Sequence, residues 1–267
     1  MTKRDVHTAL RLPGLLLLCG CVLAAGALAQ EEGETPAMLG TLKADRILIL
    51  GNSITLHGVA EHIGWKLYCG MAASAPENDY VHLLAAGIAA RTGRPLRIDS
   101  TRTPHFAQDG SIVPGDANVL NIAEILERRY ATYSNSHLQA QLDAGPDIVV
   151  LQCGENVVRE TFDAQAFKAA LQTLMAGLKE HGDPQVFVLS QLLGGGGEVD
   201  EIKREVCAED PEHRVYVDLS SFGRDPENLA SAEPHYTGVI TGHPGDKGMA
   251  VIAEALLAAM VARGGEG

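Results

Sequence analysis

Three positions in the sequence carry polar side chains that together suit nucleophilic acyl transfer. Ser53 lies in a Gly-Asn-Ser-Ile-Thr turn after the apolar run 46–50, Asn156 follows the run 147–152, and His243 precedes a helical pattern near the C-terminus. A serine nucleophile needs a base to take its proton and donors to hold the oxyanion that forms. The imidazole of His243 titrates near neutral pH and is the expected base. The backbone N–H of Ser53 and the side-chain amide of Asn156 are the expected oxyanion donors.

Each of these residues also has an ordinary structural explanation. An Asn-Ser pair after a strand often caps a helix, and Asn156 could cap the segment that follows it. A histidine before a proline is usually a loop residue. The catalytic interpretation therefore depends on the three residues meeting in space, which requires the elements around them to bring them together.

Several short apolar runs predict strands that are buried on both faces. These runs are continuous instead of alternating, which is typical of a parallel sheet covered by helices on both sides. The predicted strands are 46–50, 147–152, 185–190 and 214–219, with a fifth from either 96–100 or 119–122.

Helical patterns lie between these runs. Apolar residues recur at helical spacing in 81–88, 167–178 and 249–260, and 124–130 is also expected to be helical. Alternating strands and helices predict a doubly wound α/β domain. In such sheets ligands bind beyond the carboxyl ends of the strands, which is where Ser53, Asn156 and His243 are expected.

The first 29 residues have the pattern of a secretory signal peptide. A basic start with Lys3, Arg4 and Arg11 precedes an apolar run from Leu12 that ends in Ala27-Leu28-Ala29. We expect cleavage after Ala29, a polar leader over 30–44, and a secreted or periplasmic protein. A membrane anchor is the alternative, and a lipidated Cys21 is a weaker one.

The remaining chain is strongly acidic. Residues 1–29 hold three basic residues and one acidic residue, so the rest carries a net charge of −15, against −13 for the whole sequence. Such a surface argues against nucleic acid as a partner and against stable association with anionic membranes. Cys69, Cys153 and Cys207 match no metal-binding spacing and are expected to be buried thiols, although one disulfide is allowed.

The three polar segments resemble the conserved blocks of the SGNH hydrolases, also called GDSL-type esterases. Gly51-Asn52-Ser53 is similar to their Gly-Asp-Ser block, Gly154-Glu155-Asn156 to their Gly-x-Asn block, and His243-Pro244 before Gly248-Met249 to their last block. The resemblance runs from about residue 45 to 260. It implies a three-layer α/β/α, flavodoxin-like domain over 45–263 that hydrolyses esters through an acyl-serine intermediate, with no cofactor.

Two departures from the family pattern concern the base and the oxyanion hole. Family members usually carry an aspartate three residues before the histidine, where this chain has Ile240. Either a backbone carbonyl orients His243, giving a Ser–His dyad, or another carboxylate does so, with Asp246 and Glu233 the nearest in sequence. The glycine that donates to the oxyanion is expected at Gly110, or else at Gly115.

Export and the family resemblance favour a carbohydrate ester as substrate, and thus an O-deacetylase. Trp65, the only tryptophan, could stack on a sugar ring or could equally be a packing residue. His57, Arg102 and Arg159 are weaker candidates for the pocket. A lipid or aryl ester is the alternative substrate, and a non-catalytic carbohydrate-binding protein the alternative function. The spacings of the ten histidines predict no metal site.

Overall fold

A five-stranded parallel sheet forms the centre of the domain. The computed structural model describes residues 35–101, 105–106, 112–113, 115–128, 138–194, 197–232 and 236–265. The strands of this sheet are β1 (Ile47–Gly51), β2 (Val119–Asn121), β3 (Ile148–Leu151), β4 (Gln185–Leu189) and β5 (Arg214–Val217). They lie in the order β2-β1-β3-β4-β5, and every neighbouring pair is parallel.

Helices cover both faces of this sheet. They are α1 (Tyr80–Thr92), α2 (Ala123–Arg128), α3 (Gln139–Asp143), α4 (Ala164–Glu180), α5 (Glu198–Ala208) and α6 (Asp246–Gly264). Helices α1 and α6 lie on one face and α4 and α5 on the other. The predicted three-layer α/β/α fold with flavodoxin-like strand order is therefore confirmed.

Alternate residues of each strand supply the two cores. In β1, Ile47 and Ile49 face α1 and α6, whereas Leu48 and Leu50 face α4 and α5. All four side chains are at most 3% exposed. Burial on both faces explains why β1 is a continuous apolar run, as the parallel-sheet prediction required.

The four predicted strands and the three helical stripes are present, with bounds shifted by a few residues. The fifth strand is β2, whereas 96–100 is not a strand and lies beside the sheet edge, held through Asn118. Helix α5 was not among the predicted helices, although Val199, Ile202 and Val206 are buried at helical spacing.

Among the described helices, none combines the length and apolar character needed to cross a bilayer.

Residues 36–44, expected within a polar leader, form a hairpin packed on the domain. Its strands are Met38–Leu39 and Leu42–Lys43, and Leu39 is fully buried. The Thr41 N–H donates to the Gly264 carbonyl at the end of α6 (2.8 Å). A second antiparallel pair joins His105–Phe106 to Ile112–Val113. The proposed signal peptide, residues 1–29, lies outside the described residues.

Candidate active site

Ser53 lies beyond the carboxyl end of β1 in a tight turn. The Thr55 and Leu56 amides both donate to the Asn52 carbonyl (3.0 Å each), and the Ile54 amide donates to the Asn52 side chain (3.0 Å). The chain does not enter an α-helix directly after Ser53, since α1 begins only at Tyr80. The turn is held by its own hydrogen bonds instead.

Position 51 must be a glycine because the side chain of Thr55 packs directly against its Cα atom. A Cβ atom at position 51 would lie 1.7 Å from Oγ1 of Thr55. Thr55 is itself fixed, because its hydroxyl is hydrogen-bonded to Tyr80 (2.6 Å) and to the Gln152 side chain (3.3 Å). A larger residue at position 51 would therefore displace the turn that carries Ser53.

His243 meets Ser53 across the sheet edge. Its Nε2 lies 2.9 Å from Oγ of Ser53, and its Nδ1 lies 3.0 Å from the carbonyl oxygen of Val239. A carbonyl can only accept, so Nδ1 carries the proton and Nε2 is left to accept the proton of the Ser53 hydroxyl. This is the tautomer that a general base requires.

The acid–base properties of His243 follow from its half-buried position. Burial lowers the pKa of His243 below its ordinary value, and the charge of His57 acts in the same direction. The hydrogen bond from Nδ1 to the Val239 carbonyl opposes this shift. The imidazole is therefore neutral at neutral pH and ready to accept a proton.

Asp246 does not take the orienting role that the sequence suggested. Its carboxylate accepts hydrogen bonds from the Ser74 amide (2.8 Å), the Ser74 hydroxyl and the Asn78 side chain. Nδ1 of His243 is paired with the backbone of Val239, so the arrangement is a Ser–His dyad oriented by a carbonyl. Glu233, the other suggested carboxylate, lies outside the described residues.

Asn156 lies in the loop after β3, and its side-chain amide is held by the carboxylate of Glu127 on α2. Its Nδ2 donates to Oε2 of Glu127 (2.7 Å), and its Oδ1 accepts from Arg128 (3.0 Å). A side-chain amide has two protons on nitrogen, so one remains for another acceptor. Within the described residues, neither that second proton nor the Ser53 N–H has an acceptor, which leaves both for an oxyanion.

Of the two glycines predicted as oxyanion donors, the structure describes Gly115. Gly110 lies outside the described residues. Gly115 accepts a hydrogen bond from the Gln141 side chain (2.9 Å), which also donates to Ala117 just before β2. Gly115 is thus held near the amino end of β2, at the edge of the sheet opposite Ser53, and the structure argues against it as an oxyanion donor.

Trp65 is not available to stack on a substrate. Only 1% of the residue is exposed, and it packs in the core beside Tyr236. Its indole N–H donates to the His57 carbonyl (3.3 Å). Of the two roles that the sequence left open for Trp65, its burial favours packing, because the ring covers the inside of the loop that carries His57.

Two carboxylates in the site, one buried and one half-buried, were missed from the sequence. Glu127 on α2 is 1% exposed, and Glu155 is the middle residue of the Gly-x-Asn segment. Burial, together with the charge of Glu155, raises the pKa of Glu127. Glu155 could have been suspected from its place beside Asn156, but nothing in the local pattern of α2 marks Glu127.

A cleft of about 400 Å³ adjoins Glu155. It lies at the edge of the sheet formed by the carboxyl ends of the strands, where Ser53 also lies. Arg159, Phe162 and Leu193 contribute to its lining. Arg159 is exposed, as is Leu193, so the cleft offers a cation beside apolar surface. Arg102 lies outside the described residues.

Among the residues that the structure describes, one group of side chains suited to metal binding lies at the opposite edge of the sheet from Ser53. Asp183 precedes β4, and Asp210 and His213 precede β5. Lys179 already pairs with Asp210 (2.9 Å) and His213 with both aspartates. These ion pairs account for the cluster without a metal. The cysteines within the described residues, Cys69, Cys153 and Cys207, are free and buried, as expected.

Comparison with known proteins finds similarity only at the level of structure. No family model matches the sequence, and no curated protein matches it. A two-domain esterase active on acetylated mannans, co-crystallised with mannopentaose, superimposes with a TM-score of 0.50 and 15% identity. The match covers 81% of this chain and 50% of that protein.

Two further solved structures have lower scores. A carbohydrate esterase family 3 protein from Talaromyces cellulolyticus has a TM-score of 0.48 and 14% identity over 83% of this chain and 98% of its own. A family two carbohydrate esterase from Clostridium thermocellum, in complex with cellohexaose, has a TM-score of 0.48 and 16% identity over 84% and 66%. At 15% identity the likeness to the mannan-active esterase supports the fold alone, so the chemistry has to be argued from the site.

Proposed function

We propose that this protein is a serine esterase that hydrolyses ester bonds through an acyl-serine intermediate, with acetylated carbohydrate as its substrate class. The observation that carries the proposal is the 2.9 Å contact between Ser53 Oγ and His243 Nε2, with Nδ1 of His243 held by the Val239 carbonyl. A binding protein has no need of a serine aligned with a base of the correct tautomer.

In the acylation step Ser53 Oγ forms a bond to the ester carbonyl carbon while its proton passes to Nε2 of His243. The carbonyl oxygen becomes an oxyanion, which the Ser53 N–H and the Asn156 amide stabilise. Collapse of this intermediate breaks the bond to the alcohol oxygen, which takes the proton from Nε2. One such oxyanion donor typically contributes about 3 kcal/mol to the transition state.

Deacylation repeats these events with water as the nucleophile. The oxygen of a water molecule bonds to the acyl carbon while His243 takes a proton from that water. The second tetrahedral intermediate then releases the carboxylic acid and returns the proton to Ser53. Each group is thus used twice, and neither a cofactor nor a metal is needed for the balance of atoms.

Two observations support acetylated carbohydrate as the substrate class. The fold is shared with an esterase that acts on acetylated mannans, and the cleft beside Glu155 is open to solvent at the edge where Ser53 lies. Export through residues 1–29 would bring the enzyme to extracellular polysaccharide, and it stays a prediction from the sequence. Burial of Trp65 means that any stacking on sugar has to come from other residues.

The decisive experiment compares the purified protein with its Ser53→Ala variant on p-nitrophenyl acetate and on acetylated glucomannan. We expect the variant to lose about 10³-fold or more in kcat while its circular dichroism spectrum is unchanged. Ser221→Ala, an exposed serine elsewhere in the chain, is the matched control and should keep full activity.

A fluorophosphonate probe separates catalysis from binding. An adduct at Ser53 in the unaltered protein, absent from Ser53→Ala, supports the acyl-serine mechanism. If the probe leaves Ser53 unmodified and Ser53→Ala still binds mannan oligosaccharides as the unaltered protein does, the protein is a binding module. Faster hydrolysis of octanoyl than of acetyl esters would support a lipid substrate.

A further inference from the structure

A buried polar network lies directly beneath the nucleophile turn, and Asn52 is at its centre. The residue is fully buried, and all of its polar groups are paired. Its backbone N–H donates to Gln152 (3.2 Å) and its Oδ1 accepts from the Ile54 amide (3.0 Å). Its Nδ2 donates to Glu127 (2.9 Å) and to Glu155 (3.0 Å). Both protons of this amide are therefore used on carboxylates.

Glu127 connects this turn to the loop that carries Asn156. Oε1 of Glu127 accepts from Asn52 and from the Gly154 amide, and Oε2 accepts from the Asn156 amide (2.7 Å). Its next neighbour on α2, Arg128, holds the other end of the Asn156 side chain. One carboxylate thus contacts the nucleophile turn, the loop after β3 and an oxyanion donor.

Glu155 is bound in a similar way from the other side of Asn52. Its Oε2 accepts from Asn52 and from Gln152 (2.7 Å), and its Oε1 accepts from the Leu192 amide (2.8 Å). Each of the two carboxylates, Glu127 and Glu155, therefore accepts three hydrogen bonds, and all of these partners are donors. Glu127 in particular needs such donors, because it is buried and an uncompensated buried charge is costly.

We propose that Glu127 is a positioning residue that fixes the Asn156 amide relative to Ser53, and that position 52 must carry an amide because the buried carboxylate of Glu127 and the half-buried carboxylate of Glu155 both accept hydrogen bonds from it. This inference deepens the proposed esterase function and rests on it. An aspartate at 52 would have no proton to donate to either glutamate. It would also place a third carboxylate about 3 Å from two others.

The same geometry explains why the chain departs from the Gly-Asp-Ser pattern that its first block resembles. The negative charge beneath the turn comes from Glu127 and Glu155, and Asn52 supplies the donors that hold both in place. The identity of residue 52 is thus tied to residues 75 and 103 positions further along the chain.

Glu127→Gln tests the positioning role. Gln has nearly the same shape, but its NH₂ group must face either the Asn156 amide or the two donors on Oε1, so one side of the network is lost. We expect kcat on p-nitrophenyl acetate to fall about 10- to 100-fold, within the range for loss of an oxyanion donor, with KM changed less than about threefold. Glu205→Gln, an exposed glutamate on α5, is the control and should keep wild-type kinetics.

The split between kcat and KM separates positioning from general structural damage. If Glu127→Gln keeps wild-type kcat, the inference is overturned while the esterase function stands. If it loses activity only in proportion to unfolded protein, measured by circular dichroism at the assay temperature, Glu127 has a structural role and the inference is again overturned.

A double-mutant cycle tests the requirement for an amide at position 52. Asn52→Asp should lower kcat by itself, and Asn52→Asp combined with Glu127→Gln should lose about fivefold less than the product of the single losses, because one repelling carboxylate is gone. Independent losses would contradict the proposed pairing.

The same cycle can be followed by urea unfolding, which does not depend on activity. If the unaltered protein hydrolyses no ester, the proposed function fails. Non-additive unfolding midpoints would then still support the pairing of Asn52 with Glu127, and additive ones would overturn it. Failure of the network and failure of the function are therefore distinguishable.

Discussion

The carbonyl oxygen of Val239 lies 3.0 Å from Nδ1 of His243, in the place that an aspartate side chain takes in a Ser-His-Asp triad. Ile240 is 3% exposed and packs in the core. It occupies the position at which the SGNH hydrolases, which the sequence resembles, usually carry an aspartate. The backbone of the short 3₁₀ turn Gly238–Gly242 thus orients the imidazole. A neutral carbonyl stabilises the imidazolium less than a carboxylate does, so modest turnover is expected.

The pH dependence of kcat/KM should reflect the lowered pKa of His243. Because burial disfavours the charged imidazolium, the base stays neutral to a lower pH than a free histidine. We expect the acidic limb of the profile to have its midpoint below 6.5, with activity falling tenfold per pH unit beneath it. His57→Gln removes a charge that opposes protonation and should move this limb to higher pH. A midpoint above 6.5 in the unaltered protein would contradict the assignment.

Asp246→Asn should leave catalysis almost unchanged. The carboxylate of Asp246 binds Ser74 and Asn78, so its loss affects the packing of that segment against α6 and not the imidazole. We expect kcat within about threefold of wild type and a loss of about 1 kcal/mol in the free energy of unfolding. Steady-state kinetics and urea unfolding measure the two. A 10³-fold or larger fall in kcat would mean that Asp246 orients His243 after all.

Trp65 should report on folding and not on substrate. Its buried position predicts a blue-shifted fluorescence emission that acetylated oligosaccharides leave unchanged and that moves to the red on unfolding. Trp65→Ala should lower the free energy of unfolding by about 3–5 kcal/mol through the cavity it creates. Since the protein has one tryptophan, the emission needs no deconvolution. Quenching of this emission by sugar would contradict the placement of the ring.

Gly51→Ala should disable the enzyme through the turn. The added methyl group would lie 1.7 Å from Oγ1 of Thr55, which Tyr80 and Gln152 hold in place. Overpacking of this kind typically costs about 1–3 kcal/mol, and a displacement of Ser53 would reduce kcat about 100-fold. Gly197→Ala, where a Cβ meets open space, should leave the unfolding midpoint unchanged. Equal behaviour of the two variants would show that the turn is not close-packed.

The fold was predictable because burial on both faces leaves a direct mark on composition. Strand β1 and strand β3 are continuous apolar runs, and α4 and α6 carry apolar stripes at helical spacing. The hairpin at 38–43 was not predictable, since two-residue strands have no periodicity to detect and depend on contact with α6.

The site was only partly predictable, for reasons of the same kind. Ser53, Asn156 and His243 each follow a strand or precede a helix, so topology brings them to one edge. Glu127 reaches the site from a helix with no motif, and its role depends on contacts 75 and 27 positions away in sequence. The orienting Val239 carbonyl leaves no trace in side-chain identity, since any residue could supply it.

The hydrogen bond between Thr41 and Gly264 has a practical consequence for handling the enzyme. It places the last turn of α6 against the hairpin near residue 41, at the edge of the sheet formed by the amino ends of the strands. Ser53 lies at the opposite edge, beyond their carboxyl ends. A carrier protein or a surface linker joined to the chain beyond α6 would then attach on the far side from the catalytic pair. An immobilised form made in this way should present its active edge to insoluble polymer.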